Sequence, residues 1–392
     1  ALADASFDSL GMLSRATEHL GRVRMARGDV DAARALFARS LAVRRDLVAR
    51  TSGVGDPQQN LAVALHNWGR LHEQTGDLET AEAAYIELVA LTREMSDGQP
   101  GVADRTRELS IALEDRARVR QRRSEVSGRH GLLDDARALL VESLVLHRGR
   151  VDAQGDAQLV LRDLQVCLGA LGGVLLAQSD AASIGAFDEA RDIASTLASR
   201  QPGSSQALVD EWIAVGNAGC ARRDLGFPED ARACFAEQVD CARRLRPARP
   251  DLLRQALENY AASTRNLAGT AMTADPDAAV GLLNELRNIY RQMLEIGHRP
   301  ETVIDLVRVT ISLVKLVGQH GPRWEAVLDV HAWIRGRRAC GHLQTVDPVG
   351  GDFEFQDRGG GAVCPAGRAG RTRDLRGCVG YQRAGAAGGK QH

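Results

Sequence analysis

The sequence predicts an all-α solenoid of about seven helical hairpins. Aromatic residues make up only 4% of the 392 residues, which is thin for the strands of a β-sandwich or barrel. The segment from Leu20 to Phe37 aligns without a gap with the segment from Trp68 to Tyr85, at an offset of 48 residues. Because one hairpin cannot bury its apolar stripe alone, we expect the repeated units to stack into a continuous core.

The first helix of each unit is marked by a small residue inside an amphipathic pattern. In the second unit Leu65, Trp68 and Leu71 give this helix its apolar face, and a glycine beside them would let the paired helices approach closely. The marker is weaker in the last two units, near Leu267 and Val314. Its clearest positions are Gly21, Gly69, Ala117, Gly172 and Gly219.

A short turn is predicted to end the first helix of a unit. Gly28 and Gly76 can adopt the left-handed conformation that ends a helix. Asp29 and Asp77 follow them and can accept backbone N–H bonds at the start of the second helix. These turns and the prolines between units agree with the repeat period.

An alanine marks the second helix of each unit. Phe37 and Tyr85 are repeat markers four residues after this alanine, and we predict that Trp68 and Tyr85 lie in the core rather than forming a ligand platform. In the third and fourth units the two markers are farther apart, and we expect the extra residues in the turn, most clearly from Ser124 to His130. The alanine markers are Ala33, Ala81, Ala136, Ala190, Ala231, Ala279 and Ala326.

Charge and cysteine content bear on the class of partner. Fifty basic and 51 acidic residues give a net charge of −1, which offers no electrostatic attraction to nucleic acid or to a membrane surface. No segment approaches the roughly 18 uncharged residues of a membrane span, and no export signal precedes the repeats, so we expect a cytoplasmic protein. The seven cysteines include no CxxC pair, which argues against a disulfide framework and a zinc site.

No catalytic motif is apparent in the sequence. The P-loop pattern GxxxxGK[ST] and the GxSxG elbow are absent. His72 and Glu73 begin an HExxH pattern, but Gly76 stands at the second histidine position, so we predict both to be solvated helix residues. Cys234 and Cys241 are predicted to be buried apolar residues. The sequence therefore predicts a protein that is not an enzyme and that holds no metal and no cofactor.

The order of an apolar residue, a small residue, a Gly-Asp turn, an alanine and an aromatic residue resembles the tetratricopeptide repeat (TPR). The similarity is to the bacterial variety of nearly 50 residues per unit, and it covers about residues 10 to 338. The resemblance implies a right-handed α-solenoid whose first helices line a concave groove. It also implies a protein that binds proteins or peptides. The chain departs from the family pattern in its irregular prolines and in Ala117, which replaces a glycine.

Arg22, Arg70 and Arg118 occupy one repeat position, directly after the small marker. By the resemblance this position faces the groove, where aligned guanidinium groups could bind the carboxylates of an acidic peptide or a C-terminus. The local alternative is a helix-surface pair with Glu18 or Glu114, each four residues earlier than an arginine.

The corresponding positions of the fourth and fifth units carry no charge. They hold Gly173 and Cys220, and Gly169 and Gly216 lie four residues before them. This stretch could accept bulky apolar side chains of a ligand. Close packing between helices is the alternative explanation of the same residues.

The predicted function is a protein-binding or peptide-binding scaffold formed by a repeat domain of residues 1–338. Residues 339–392 are Gly/Arg-rich and are predicted to be a disordered or out-of-frame tail. The chain starts at Ala1 rather than at a methionine. Similar long-repeat arrays often form one arm of larger bacterial signalling proteins, and a start without methionine suits such an arrangement. The resemblance therefore also implies an alternative function, a sensor or regulatory arm of a larger bacterial signalling NTPase or protease-like protein, with an upstream domain as its partner. An RNA-binding solenoid is disfavoured by the net charge.

Overall fold

The computed structural model describes residues 7–50, 56–99, 101–245, 249–297 and 299–320. These residues form thirteen α-helices and no strand, which confirms the predicted all-α solenoid. The helices are α1 (Phe7–Ala26), α2 (Val30–Arg50), α3 (Asp56–Thr75), α4 (Leu78–Gly98), α5 (Ala103–Ser127), α6 (Gly131–Gln154), α7 (Gln158–Ala177), α8 (Ala182–Arg200), α9 (Ser205–Asp224), α10 (Pro228–Leu245), α11 (Pro250–Ala274), α12 (Pro276–Ile296) and α13 (Pro300–His320).

Contacts divide the chain into two compact units, Ala1–Leu225 and Gly226–His392. The first unit contains α1 to α9 and the second contains α10 to α13, and within each unit consecutive helices pack against one another. The predicted marker Ala326 and the predicted tail, residues 339–392, lie outside the described residues.

The ends of the helices follow local sequence chemistry. Gly28 and Gly76 have φ angles of 80° and 84°, the left-handed conformation in which glycine has no Cβ penalty. The Asp77 side chain accepts a hydrogen bond from the backbone N–H of Thr80 at 3.1 Å, so it caps α4 as predicted. In the second unit α10 to α13 each begin at a proline, whose fixed φ suits the first helical position.

Alanine and glycine markers lie in the core between paired helices. Ideal Cβ atoms built on Gly21, Gly69 and Gly172 would lie 3.1, 2.7 and 2.9 Å from ring carbons of Phe37, Tyr85 and Phe187. Each of these glycines therefore receives an aromatic ring from the second helix. Gly219 is also buried. The alanine markers of the described hairpins are at most 2% exposed: Ala33, Ala81, Ala136, Ala190, Ala231 and Ala279.

The extra residues of the third and fourth units extend helices instead of enlarging turns. In the third unit α5 continues through Ser124 to Ser127, and left-handed Gly128, at a φ of 69°, ends it. In the fourth unit Ala190 lies well inside α8, which already begins at Ala182. The predicted turn insertion is therefore wrong. The residues from Leu113 to Ser127 have high helix propensity and include no glycine or proline that would stop α5 earlier.

The described cysteines and the most apolar helix belong to the core. Cys167, Cys220, Cys234 and Cys241 form no disulfide with the described residues and are buried, as predicted for the last two. Contrary to the sequence prediction that no segment approaches a membrane span, one of the described helices, α7, is long and apolar enough to cross a membrane, but 56% of that window is buried inside the protein. It packs against α6 and α8 and also contacts α5 and α9, so it is a central helix of the first unit.

We expect Gly69→Ala to lower the free energy of unfolding by about 1 to 3 kcal/mol, the usual range for overpacking a core. The new methyl group would lie 2.7 Å from the Tyr85 ring, and Tyr85 is fully buried. In the third hairpin, Ala117 stands at the glycine position and Leu140 at the aromatic position, and the two residues share one core cluster. Alanine is therefore accommodated where a leucine replaces the aromatic ring. Chemical denaturation of Gly69→Ala, Tyr85→Leu and the double variant measures the coupling between the two positions.

The double variant should lose at least about 0.5 kcal/mol less than the sum of the two single losses. Gly173→Ala is the matched control, because a Cβ at Gly173 meets no atom within 4 Å. That control should be neutral or slightly stabilising, since alanine favours helix over glycine. Strict additivity at Gly69 and Tyr85 would contradict the proposed fit of ring to glycine.

Candidate functional site

The first helices of consecutive hairpins in the first unit are joined directly by polar contacts. These contacts pair α1 with α3, α3 with α5, α5 with α7, and α7 with α9. They place the five helices side by side. The bridging pairs are Glu18–Asn67 at 2.5 Å, His66–Asp115 at 2.8 Å, Arg107–Asp163 at 2.6 Å and Arg162–Asp210 at 2.7 Å.

In each first helix, the residue directly after the small marker and the residues three and seven positions before that residue share one face. We call this face on α1, α3, α5, α7 and α9 the first-helix surface. It is basic at one end and apolar at the other. Its members are Arg15, His19 and Arg22 on α1, Val63, Asn67 and Arg70 on α3, Ile111, Asp115 and Arg118 on α5, Val166, Ala170 and Gly173 on α7, and Ile213, Asn217 and Cys220 on α9.

The three predicted arginines lie in different surroundings. Arg22 is exposed, and one Nη atom lies 2.6 Å from His19 Nδ1. Arg70 is exposed and forms no ion pair with the residues that the structure describes. Arg118 is 39% exposed and donates both Nε and Nη2 to Glu73 at 2.9 Å, with Asp115 at the same distance. Two of the three therefore present cations to solvent, while the third is held by carboxylates.

Arg22 does not form the helix-surface pair with Glu18 that was the local alternative to ligand binding. Glu18 is buried and pairs with Arg44 of α2 at 2.5 Å, and it forms no ion pair with Arg22. Glu114 accepts hydrogen bonds from Ser143 at 3.0 Å and His147 at 2.7 Å. Both glutamates thus serve the buried contacts between helices.

His72 and Glu73 are buried, at 4% and 7% exposed, so the prediction that they are solvated is wrong. His72 Nδ1 lies 2.9 Å from an Asp77 oxygen. Glu73 is held by Arg118 and by Arg122, whose Nη1 lies 3.1 Å from its Oε1, and the Tyr85 hydroxyl donates to it at 3.4 Å. The two arginines are 45 and 49 residues away in sequence, so no local pattern identifies them.

Electrostatics favour the ionised form of Glu73. Burial alone would raise the pKa of its carboxyl group, but hydrogen bonds and charge from Arg118 and Arg122 outweigh burial and hold that pKa below its usual range. Glu73 thereby fixes two arginines of α5 against α3.

Trp68, one turn before His72 on α3, is partly buried, and its ring centroid lies 4.2 Å from that of His72.

The apolar end of the first-helix surface is open at α7. Ideal Cβ atoms on Gly169 and Gly173 meet no atom within 4 Å, so neither glycine is needed there for close packing against the described residues. Val166 on the same face is partly exposed. Cys220, by contrast, is only 2% exposed and offers little surface to a ligand.

Glu114, His147 and Cys167 have their possible ligand atoms within 4.8 Å of one another. An Arg150 Nη atom lies 3.4 Å from His147 Nδ1. Glu114 accepts a hydrogen bond from Ser143 at 3.0 Å, its Oε1 lies 2.7 Å from His147 Nε2, and Cys167 Sγ lies 3.6 Å from the Ser143 hydroxyl. These side chains therefore satisfy one another within the protein, as in a buried hydrogen-bond network.

The first hairpin contains a closely related network. There Ser14 and Glu18 of α1 contact Ser40 and Arg44 of α2, with the Arg44 Nε 2.6 Å from the Ser14 hydroxyl. Arg44 thus occupies the repeat position of His147. In the first hairpin, Arg44, which cannot bind a metal, pairs with Glu18, the glutamate at the repeat position of Glu114. This supports a structural role for both networks.

Comparison with known proteins identifies the fold. No protein-family model matches the sequence, and no curated protein matches it either. Among solved structures, the nuclear import adaptor Nro1 of S. pombe is similar, with a TM-score of 0.53 at 15% identity over 79% of this chain and 98% of that one. BtubC of P. vanneervenii has a TM-score of 0.48 at 16% identity, covering 69% and 94% of the two chains.

The TPR-like repeats of a putative kinesin light chain from P. anserina have a TM-score of 0.41 at 14% identity, covering 60% and 96% of the two chains. At these identities the likeness concerns the fold alone. The chain has a TPR-like helical-repeat fold, which confirms the resemblance predicted from the repeats.

Proposed function

We propose that this protein is a non-catalytic binding scaffold whose first-helix surface holds a peptide segment of a partner protein. The peptide carries carboxylates that meet α1 and α3 and apolar side chains that meet α7. The observation that carries this proposal is the change from arginine to glycine at one repeat position, from Arg22 and Arg70 to Gly173. Such a surface favours a ligand that is acidic at one end and apolar at the other.

The basic end supports the choice of an acidic ligand. Arg15, Arg22 and Arg70 are exposed on one face of two adjacent helices and have no carboxylate partner among the described residues. Guanidinium groups can bind carboxylates through two parallel hydrogen bonds. Neighbouring acidic side chains do not compete for them, since Glu18 is buried against Arg44 and Asn67.

The buried titratable groups support binding rather than catalysis. Glu73 is held by two arginines, Asp163 by Arg107 at 2.6 Å and Arg150 at 3.0 Å. Groups committed to such pairs join helices together and are not poised to exchange protons with a substrate. The similarity to Nro1, which is described as a nuclear import adaptor, is in keeping with a protein partner here.

We expect Arg22→Ala/Arg70→Ala to weaken binding of an acidic–apolar peptide by at least about tenfold. A hydrogen bond to a charged group contributes about 1.5 to 3 kcal/mol, and about 1.4 kcal/mol corresponds to tenfold in affinity. Fluorescence anisotropy with the full chain and a labelled peptide, Glu/Asp-rich in one half and Leu/Phe-rich in the other, measures the effect. Affinity for the wild type should also fall as salt is raised.

The matched control is Arg39→Ala/Arg129→Ala, which removes two exposed arginines outside the first-helix surface. It should bind the peptide like the wild type, and a peptide with lysine in place of every acidic residue should not bind. Equal losses in the two double variants would mean that net charge alone attracts the peptide. That outcome, or no binding by the wild type, would reject the proposed surface.

A further inference from the structure

The first helix of the chain carries an exposed apolar stripe. Met12, Leu20 and Val23 on α1 are 58%, 46% and 46% exposed, and Ala16 between them is also exposed. The spacing places all four on one helix face. This face differs from the one that carries Arg15 and Arg22, so it is not the proposed peptide surface.

Two of these four repeat positions, those of Ala16 and Val23, are buried in every later first helix of the first unit. The equivalents of Ala16 and Val23 on α3 are Ala64 and Leu71, which are 4% and 3% exposed. On α5, α7 and α9 the equivalents are at most 4% exposed: Ala112 and Val119, Cys167 and Val174, and Ala214 and Ala221. At the positions of Ala16 and Val23, α1 is therefore the one first helix of the described first unit that is left uncovered.

In the later hairpins this face receives the second helix of the preceding hairpin. Leu71 of α3 shares a core cluster with Ala33 and Phe37 of α2. Val174 of α7 shares a cluster with Ala136 of α6 in the same manner. The repeat itself thus shows what kind of element fits the stripe, namely an amphipathic helix of the second-helix type.

Two arginines on α1 indicate which charged residues a helix that covers the stripe would carry. Arg24 and Arg27 occupy the repeat positions of Arg120 and Arg123 on α5. Arg120 pairs with Glu82 of α4 at 2.8 Å, and Arg123 also pairs with Glu82.

Arg123 additionally lies 3.8 Å from Glu79 in the first turn of α4. On α1, by contrast, Arg24 pairs with Asp29 of its own turn at 3.4 Å, and both side chains are 45% exposed. The pair α4–α5 therefore provides a template in which arginines of the first helix bind the acidic beginning of the second.

We propose that the stripe on α1 is a docking surface for one amphipathic helix of a partner protein, similar to α4. That helix has acidic residues near its N-terminus, which meet Arg24 and Arg27, and an alanine-rich apolar face, which covers Met12, Ala16, Leu20 and Val23. Negative charge at a helix N-terminus also agrees with the helix dipole. Docking would extend the stack by the same contacts that join α4 to α5.

A peptide of residues 77–99, which contains α4, is the probe for this surface. We expect the labelled peptide to bind the full wild-type chain in fluorescence anisotropy and to bind Leu20→Glu/Val23→Glu at least about tenfold more weakly. Val145→Glu is the matched control, because Val145 is a 65% exposed apolar residue on α6 outside the stripe. Circular dichroism should show unchanged helix content in all three chains.

A charge exchange tests the role of the two arginines. Arg24→Glu/Arg27→Glu should weaken binding of the α4 peptide, and a peptide with Glu79→Arg and Glu82→Arg should bind this variant better than it binds the wild type. No binding to the wild type, binding unaffected by the stripe variant, or no recovery with the exchanged peptide would each overturn the proposal. Concentration-dependent self-association of the chain that Leu20→Glu/Val23→Glu removes would also overturn it, because a second copy would then cover the stripe.

Discussion

Trp212→Ala is expected to lower the free energy of unfolding by about 3 to 5 kcal/mol, the range for truncating a large buried aromatic residue. Trp212 of α9 is 1% exposed and is the largest fully buried side chain of the described residues. Its removal leaves a cavity in the core, and the surrounding structure relaxes only partially into such a space. Urea denaturation followed by circular dichroism measures the loss.

Trp68→Ala is the control, because it removes the same side chain from a position that is less buried than Trp212. Trp68 is partly exposed and stacks edge-on against His72 at 4.2 Å, so its truncation removes less buried surface. We expect its loss of stability to be clearly smaller than that of Trp212→Ala. A reversed order would show that the burial assigned to α3 and α9 is wrong.

Glu73→Ala should lower the free energy of unfolding by about 3 kcal/mol, near the lower end of the range for removing one partner of a buried ion pair. Arg118 and Arg122 would lose the carboxylate that fixes them. Their side chains are 39% and 43% exposed, so water can partly solvate them and the loss does not reach the upper end.

The effect of Glu73 on stability should depend on pH. Because the pKa of Glu73 is lower in the folded than in the unfolded chain, its stabilisation is fully present above the unfolded pKa of about 4.3. It is lost as pH falls through the lower folded value. The difference between wild type and Glu73→Ala should therefore shrink below about pH 4.

Glu79→Ala is the matched control for this pH dependence. The Glu79 side chain is 88% exposed and lies 3.8 Å from Arg123, so its removal should change the free energy of unfolding by less than about 0.5 kcal/mol. A difference between wild type and Glu73→Ala that stays constant from neutral to acidic pH would contradict the assigned ionisation of Glu73.

The fold could be predicted because its determinants are local and recur. A glycine and an aspartate set the turns of the first two hairpins, as at Gly76 and Asp77, and each glycine–aromatic pair joins the two helices of one hairpin. The extra residues of the third hairpin were misplaced because a marker spacing counts residues but not their conformation. Only the helix propensity after Ala117 distinguishes a longer α5 from a longer turn.

The candidate site was less accessible from the sequence. The position shared by Arg22, Arg70 and Arg118 is visible in the repeat. Of the two carboxylates that hold Arg118, however, only Asp115 is local, and Glu73 comes from a helix 45 residues earlier. The burial of Glu73 could not be predicted either, because the arginines that hold it lie 45 and 49 residues away in sequence. The stripe on α1 also needs the structure, since Ala16 and Val23 stand at repeat positions that are buried in α3, α5, α7 and α9.

Photo-cross-linking of the acidic–apolar peptide to the full chain tests the central claim most directly. With a benzophenone placed in the acidic half, mass spectrometry should find cross-links on α1 and α3, and with the benzophenone in the apolar half it should find them on α7. Cross-links that fall mainly on the second helices α2, α4 and α6, or that ignore which half carries the label, would contradict binding along the first-helix surface.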